Sequence, residues 1–132
     1  MKLQPDRFDT LAFWGHGPGW VGVNGEPVRH SLVVTAQGEQ QDWQCSSFDA
    51  LTADHFERLL KFRPELVVFG SGERLRFAPP ALMRALLSQN IGVETMDTPA
   101  ACRTYNILAA EGRRVVAALL VEPGRTLPGS PG

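Results

Sequence analysis

The sequence predicts a single α/β domain built on a mixed β-sheet, and three observations carry that reading. The second half alternates continuous apolar runs with stretches at helical spacing, which is the pattern of βα units. The first third breaks short β-branched and aromatic runs with turn chemistry, as a β meander does. The composition is globular: of 132 residues, 43% are hydrophobic and 20% charged, so the chain can bury a core of its own.

Taken in order, residues 1–9 are polar and read as an entry segment, and residues 10–14 as a short strand. Gly15-His16-Gly17-Pro18-Gly19 reads as a turn, because three glycines and a proline punctuate it. Residues 20–24 resume the strand with Trp20, Val21 and Val23. Asn24-Gly25 is a strong hairpin signal, since both residues tolerate the positive φ of a type I′ turn. Residues 28–35 are expected as one returning strand, residues 36–40 as a turn, and residues 42–45, with Trp43, as a short strand.

Helical spacing begins after Thr52, a suitable N-cap, and places Phe56, Leu59, Leu60 and Phe62 on one side before Arg63-Pro64 stops the helix. Residues 65–69 form a continuous apolar run, expected in the middle of the sheet with both faces covered. Gly70-Ser71-Gly72 ends it. Pro79-Pro80 opens a helix over residues 81–88 with Leu82, Ala85 and Leu86 on one side. Strand 91–96, a helix from Thr98 to about Ala110, a turn at Glu111-Gly112-Arg113 and strand 115–121 complete a βαβαβ half. The globular domain is expected over residues 1–121, with 122–132, rich in glycine and proline, as a mobile tail.

Two successive βα units favour parallel pairing, so the loops after Phe69 and after Met96 should leave the same carboxyl edge of the sheet. Gly70-Ser71-Gly72 and the Thr98 helix start then become neighbours, and a crevice is expected between them. Thr98 is read as the N-cap and Pro99 as the first helical residue. Spacing of 100° per residue puts Ala101, Thr104, Tyr105 and Leu108 on one arc, and Pro99, Arg103, Asn106 and Ala110 on the opposite one.

At this point the residues resemble a known family. The run from Thr98 to Leu120, with Phe69-Gly70-Ser71-Gly72, Ser31-Leu32-Val33-Val34 and Trp43, is similar to an uncharacterised conserved family whose eukaryotic member is the mitochondrial respiratory complex I assembly factor 3. The resemblance covers residues 8–121. It implies one α/β domain with a mixed sheet, helices on one face and a β meander or hairpin layer on the other, and it implies no settled activity for prokaryotic-type members.

The candidate site residues are Gly70, Ser71, Gly72, Thr98, Cys102, Arg103 and Asn106, and each has two readings. The Gly70–Gly72 loop can cradle an anion with backbone N–H groups or pack tightly under the next helix. It lacks the third glycine of a dinucleotide fingerprint, with Leu75 in that place, and it lacks the GK[ST] of a P-loop. Cys102, near a helix start beside Arg103, is either a thiol of lowered pKa or a small core residue. Arg103 and Asn106 offer a guanidinium fork and a carboxamide to a carboxylate, phosphate or partner chain. The alternative is an ion pair for Arg103, with Asp97 or Glu111, and a loop tie for Asn106.

Charge and cysteine usage bound the partners. Thirteen basic against fourteen acidic residues leave a net charge of -1, which argues against nucleic acid. No stretch approaches the ~18 apolar residues that span a bilayer, and Met1–Asp6 lacks the apolar run of a signal peptide. The expected location is the cytoplasm. There Cys45 and Cys102, far apart and in no CxxC, are expected as free thiols. His16, His30 and His55 lack metal-ligand spacing, so neither a metal nor a cofactor is expected. Two functions follow: a non-enzymatic binding or assembly module that recognises a protein, or a small-molecule protein or enzyme using the crevice for an anionic ligand.

Overall fold

The structure, a computed structural model, describes residues 11–123. The entry segment, the first residue of the expected strand 10–14 and the tail beyond Pro123 lie outside the described residues. Three strands, β1 (Phe13–Gly17), β2 (Trp20–Val23) and β3 (Glu26–Val28), form an antiparallel sheet. Asn24 and Gly25 turn β2 into β3 with φ of 55° and 82°, as a type I′ turn requires. The glycine-rich stretch before Trp20 is strand rather than turn as far as Gly17. Its glycines serve close approach: a Cβ at Gly17 would collide with the Trp20 indole, and one at Gly22 with the Trp14 indole.

A second sheet holds five strands in the order β5-β4-β8-β6-β7, namely β4 (Leu32–Thr35), β5 (Gln40–Asp42), β6 (Leu66–Gly70), β7 (Gly92–Met96) and β8 (Val115–Leu119). β6 runs parallel to both β7 and β8, and β4 antiparallel to β8 and β5. The stretch expected as one strand over 28–35 is divided between the two sheets. The break is fixed by Ser31, whose buried hydroxyl accepts the Val121 N–H at 3.0 Å and whose carbonyl accepts the Trp43 N–H at 3.0 Å. The strand expected over 42–45 lies earlier, at Gln40–Asp42, because Trp43 leaves the ladder to enter the core at 2% exposure.

The first helix, α1 (Ala53–Glu57), starts at Thr52, whose N–H donates to His55 Nδ1 at 3.0 Å, and tightens into a 3-10 turn over Arg58–Phe62. Pro79-Pro80 opens a 3-10 turn over Pro80–Met83 that becomes α2 (Arg84–Leu87). The third helix, α3 (Thr98–Ala110), is the longest of the described helices. Alternation along the strands divides the core. Val67, Phe69, Val116, Ala118 and Leu120 face Phe56, Leu59 and Leu86 of the α1 and α2 side. Val68, Val115, Ala117 and Leu119 face Ala101, Cys102 and Tyr105 of α3, together with Phe13, Val21, Val23 and Val28 of the small sheet.

The mixed sheet and second β layer are therefore present, with one refinement. α3 shares its face with the small sheet, opposite α1 and α2. Strand order explains it: the chain steps from β6 outward to β7, then back past β6 to β8. Right-handed crossovers in opposite directions place their helices on opposite faces. Cys45 and Cys102 are free and buried on opposite sides of the sheet.

Glu122, the residue after the expected boundary at 121, is hydrogen-bonded to Phe48 and Arg76. A chain ending at Pro123 should keep its melting temperature within a few degrees. One ending at Val121 should melt clearly lower, and equal melting of the two in a thermal scan would contradict this.

Candidate functional site

The loops after β6 and β7 and the end of β8 meet at the carboxyl edge of the sheet. Their contact is a stitch through Thr98. Its N–H donates to Gly72 O at 2.7 Å, its hydroxyl accepts the Gly72 N–H at 3.0 Å, and that hydroxyl donates to Leu120 O at 2.8 Å. Leu120 N–H donates to Gly70 O at 2.9 Å and Ser71 N–H to Met96 O at 2.8 Å, so one buried hydroxyl sits where the ends of three strands converge. The glycines fit this closeness. A Cβ at Gly70 would lie 2.8 Å from both Thr98 Oγ1 and a Leu119 methyl. Gly72 has φ of +108°, and a Cβ there would press on Arg76 and Glu122.

Thr98 is not the N-cap. Asp97 holds that position with extended backbone, and its carboxylate accepts the Ala100 N–H at 2.8 Å. Both residue types cap helices well, and the choice is made by the interior, which takes the Thr98 hydroxyl for the stitch. Consequently the N–H groups at the helix start are engaged: Thr98 to Gly72, Ala100 and Ala101 to Asp97, while Pro99 has none. The Asp97 carboxylate also answers the positive helix end.

Ser71 is fully buried, donates to Arg74 O at 2.8 Å and accepts the Arg76 N–H at 2.9 Å, tying the loop into a knot. Arg76 then reaches back. Its guanidinium donates to Ser71 O, pairs with Glu122 Oε1 at 2.8 Å and lies 4.6 Å over the Phe48 ring. The second Glu122 oxygen accepts the Phe48 N–H at 2.8 Å. Arg76 and Glu122 escape a sequence reading because 46 positions separate them and neither belongs to a local motif. Asp97 was visible as the residue before a good cap.

On α3 the candidates separate. Asn106 accepts the Phe13 N–H and donates to Phe13 O, both at 2.8 Å, so its carboxamide closes the rim of β1 like a piece of strand. Beside it the Tyr105 hydroxyl donates to Leu11 O at 2.8 Å, and its ring meets Phe13 edge-on. Cys102 is 2% exposed, and burial pushes its thiol up to about 12 against a smaller opposing pull from Arg103. Burial also raises the Cys45 thiol. Arg103 is exposed and has no ion-pair partner among the described residues.

Between this edge and the β1–β2 turn lies a gap of about 20 Å³ bounded by His16, Trp20, Thr98, Pro99 and Glu122. That is room for about one water. A wider open cleft of about 470 Å³ is bounded by Glu73, Arg74, Arg76, Glu122 and Pro123, two carboxylates and two guanidinium groups. Among the described residues no group of three His, Cys, Asp or Glu side chains is placed to hold a metal ion, and no helix is long and apolar enough to cross a membrane.

A two-sheet α/β domain whose strand ends are stitched by Thr98 is the class these features define. The chain belongs to the family described as Protein of unknown function (DUF498/DUF598), whose model matches residues 13–120. It is 39% identical over 106 residues to the Bos taurus protein named NADH dehydrogenase (ubiquinone) 1 alpha subcomplex assembly factor 3, covering 79% of this chain and 57% of that one. The chain thus spans little more than half the length of that relative. An uncharacterized Rhodobacter capsulatus protein is 35% identical over 121 residues, covering 92% and 93% of the two chains. A crystal structure of a Bordetella parapertussis protein superposes with a TM-score of 0.81 at 37% identity, covering 86% of this chain and 97% of that one.

Thr98→Val should destabilise the fold by about 1–3 kcal/mol, because the Gly72 N–H and Leu120 carbonyl lose a buried partner. Denaturant titration with no change in midpoint would refute the stitch. Cys102, 2% exposed and with its thiol pushed up by burial, should react with iodoacetamide far more slowly in native protein than in denaturant, as read by peptide mass. Comparable labelling in both would contradict its burial.

Proposed function

We propose that the chain is a non-enzymatic binding module of the assembly-factor type that recognises a protein partner. One observation carries this reading. The loop after β6 exposes Leu75 at 51% and Phe77 at 71%, while Ser71, Arg76 and Glu122 brace it from behind. A large apolar side chain on a pre-ordered loop loses little entropy when a partner covers it, which is how binding anchors work. The names of the relatives support the same reading and direct it toward assembly of the respiratory NADH dehydrogenase; the place of action proposed with it is the cytoplasm.

A second reading, an anionic small-molecule site over Gly70, Ser71, Gly72, Thr98, Cys102, Arg103 and Asn106, has one specific support. Arg103 lies exposed one turn inside α3 with its charge unpaired among the described residues. Against it, the N–H groups of the helix start and the amide of Asn106 already have partners within the chain.

Two measurements separate the readings. In cells deleted for the gene, assembled NADH dehydrogenase on native gels should fall and should be restored by the chain. The double variant Leu75→Ser, Phe77→Ser should melt like the parent and fail to restore it. Full complementation by the double variant would overturn the loop as the anchor, and unchanged assembly after deletion would overturn the assembly role. Millimolar sulfate that shifts the amide signals of Gly70, Gly72 and Cys102, and ceases to do so in Arg103→Ala, would instead establish the ligand site.

A further inference from the structure

The two sheets have four edges, and three of them carry a feature that blocks pairing with another chain. β1 is closed at Phe13 by the Asn106 carboxamide. β3 carries Pro27, which lacks an N–H to offer. β5 has three exposed polar residues and ends where Gln44 turns to φ of 60° under a hydrogen bond to the Asp42 carboxylate. β7 has none of these. Its five residues, Gly92-Val93-Glu94-Thr95-Met96, contain no proline and, among the described residues, pair only with β6.

The direction of its backbone groups follows from one bond. Met96 O accepts from Ser71 N–H at the β6 side, and alternate residues of a strand point alternate ways. Gly92, Glu94 and Met96 therefore bond inward, and the N–H and C=O groups of Val93 and Thr95 face out of the sheet. These four groups are the template that an added strand uses. Glu94 is the sole charge on β7, is exposed, and has no ion-pair partner among the described residues.

We propose that β7 receives an extended segment of a protein partner as a sixth strand, with a lysine or arginine of that segment opposite Glu94. This rests on the protein-partner reading and adds to it a place and a chemistry. Charge decides between a foreign strand and a second copy. A dyad at the centre of β7 would set Glu94 against its own equivalent, and like charges directly opposite destabilise a pair. A five-residue rim also buries too little for a stable symmetric dimer, whereas an extended partner segment brings contacts from the rest of its own chain.

The test uses full-length nitrogen-15-labelled protein and two blocked heptapeptides, Thr-Val-Thr-Lys-Thr-Val-Thr and the same peptide with Glu in place of Lys, at millimolar concentration. The lysine peptide should shift the Val93 and Thr95 amide signals and slow their hydrogen exchange. It should bind about fivefold more tightly than the glutamate peptide, the spread expected between an attractive and a repulsive cross-strand pair. Glu94→Lys, a surface change that leaves the fold alone, should invert that preference, and Thr95→Pro should abolish binding. Shifts confined to other surfaces, equal affinity for both peptides, or no binding by either would overturn the proposal. So would a sedimentation mass of two chains with Val93 and Thr95 already protected, since the rim would then belong to a second copy. Failure here, with the Leu75 and Phe77 double variant still defective in assembly, would remove the β7 site and leave the partner reading in place.

Discussion

Burial of β6 and β8 on both faces is the constraint on which the other elements depend. Val67 to Phe69 and Val115 to Leu120 are at 0% exposure throughout, so two central strands must be covered from above and below. α1 and α2 cover one side. α3 alone is too narrow for the other, and the three-stranded sheet supplies the remaining area through Phe13, Val21, Val23 and Val28. The alternation of small and large side chains serves the same end: Ala117 and Ala118 in β8 let the aromatic cluster of Trp43, Phe56 and Phe69 sit close on one face and α3 on the other.

The carboxyl edge follows from that arrangement. Three parallel strands end there, and in many α/β proteins the resulting crevice is left open for a ligand. Here the crevice is occupied by the chain's own chemistry. Thr98 binds backbone groups from the loop after β6 and the end of β8, Asp97 answers the helix end, and Arg76 with Glu122 spans the outside. The edge is thereby a rigid support, with the open cleft of Glu73, Arg74, Arg76 and Glu122 beside it. Two of the exposed apolar side chains, Leu75 and Phe77, stand on the loop after β6, displayed rather than sheltered.

Much of this was legible where the cause is local. Asn24-Gly25 specifies its hairpin because two successive positive φ values have few suitors, and Thr52 opens α1 because capping needs only neighbours. The apolar run over residues 65–69 announces a central strand, and the adjacency of Gly70-Ser71-Gly72 to Thr98 follows from parallel pairing alone. Where the cause is distant the sequence is silent. Nothing near residue 30 says that the chain changes sheets, since the reason is the Val121 N–H. Two adjacent residues can cap α3, and the burial of Thr98 assigns the task to Asp97. The roles of Asn106 and of Arg76 with Glu122 depend on partners far along the chain, and periodicity is blind to those.

Among the described residues the small sheet shares no backbone hydrogen-bonded ladder with the large one. It is held by side chains: the Phe13 ring on Tyr105, the amide of Asn106, and the valines beneath. Backbone ladders break cooperatively, but a layer attached by side chains can lift as a unit while the rest of the protein stays folded. Such a lift would open the cluster that holds Cys102 and bare one face of β6 and β8 while their own backbone ladder stayed paired. The thiol is thus a built-in reporter for one layer, and the kinetics of its exposure would time a partial opening that the melting of the whole domain does not resolve.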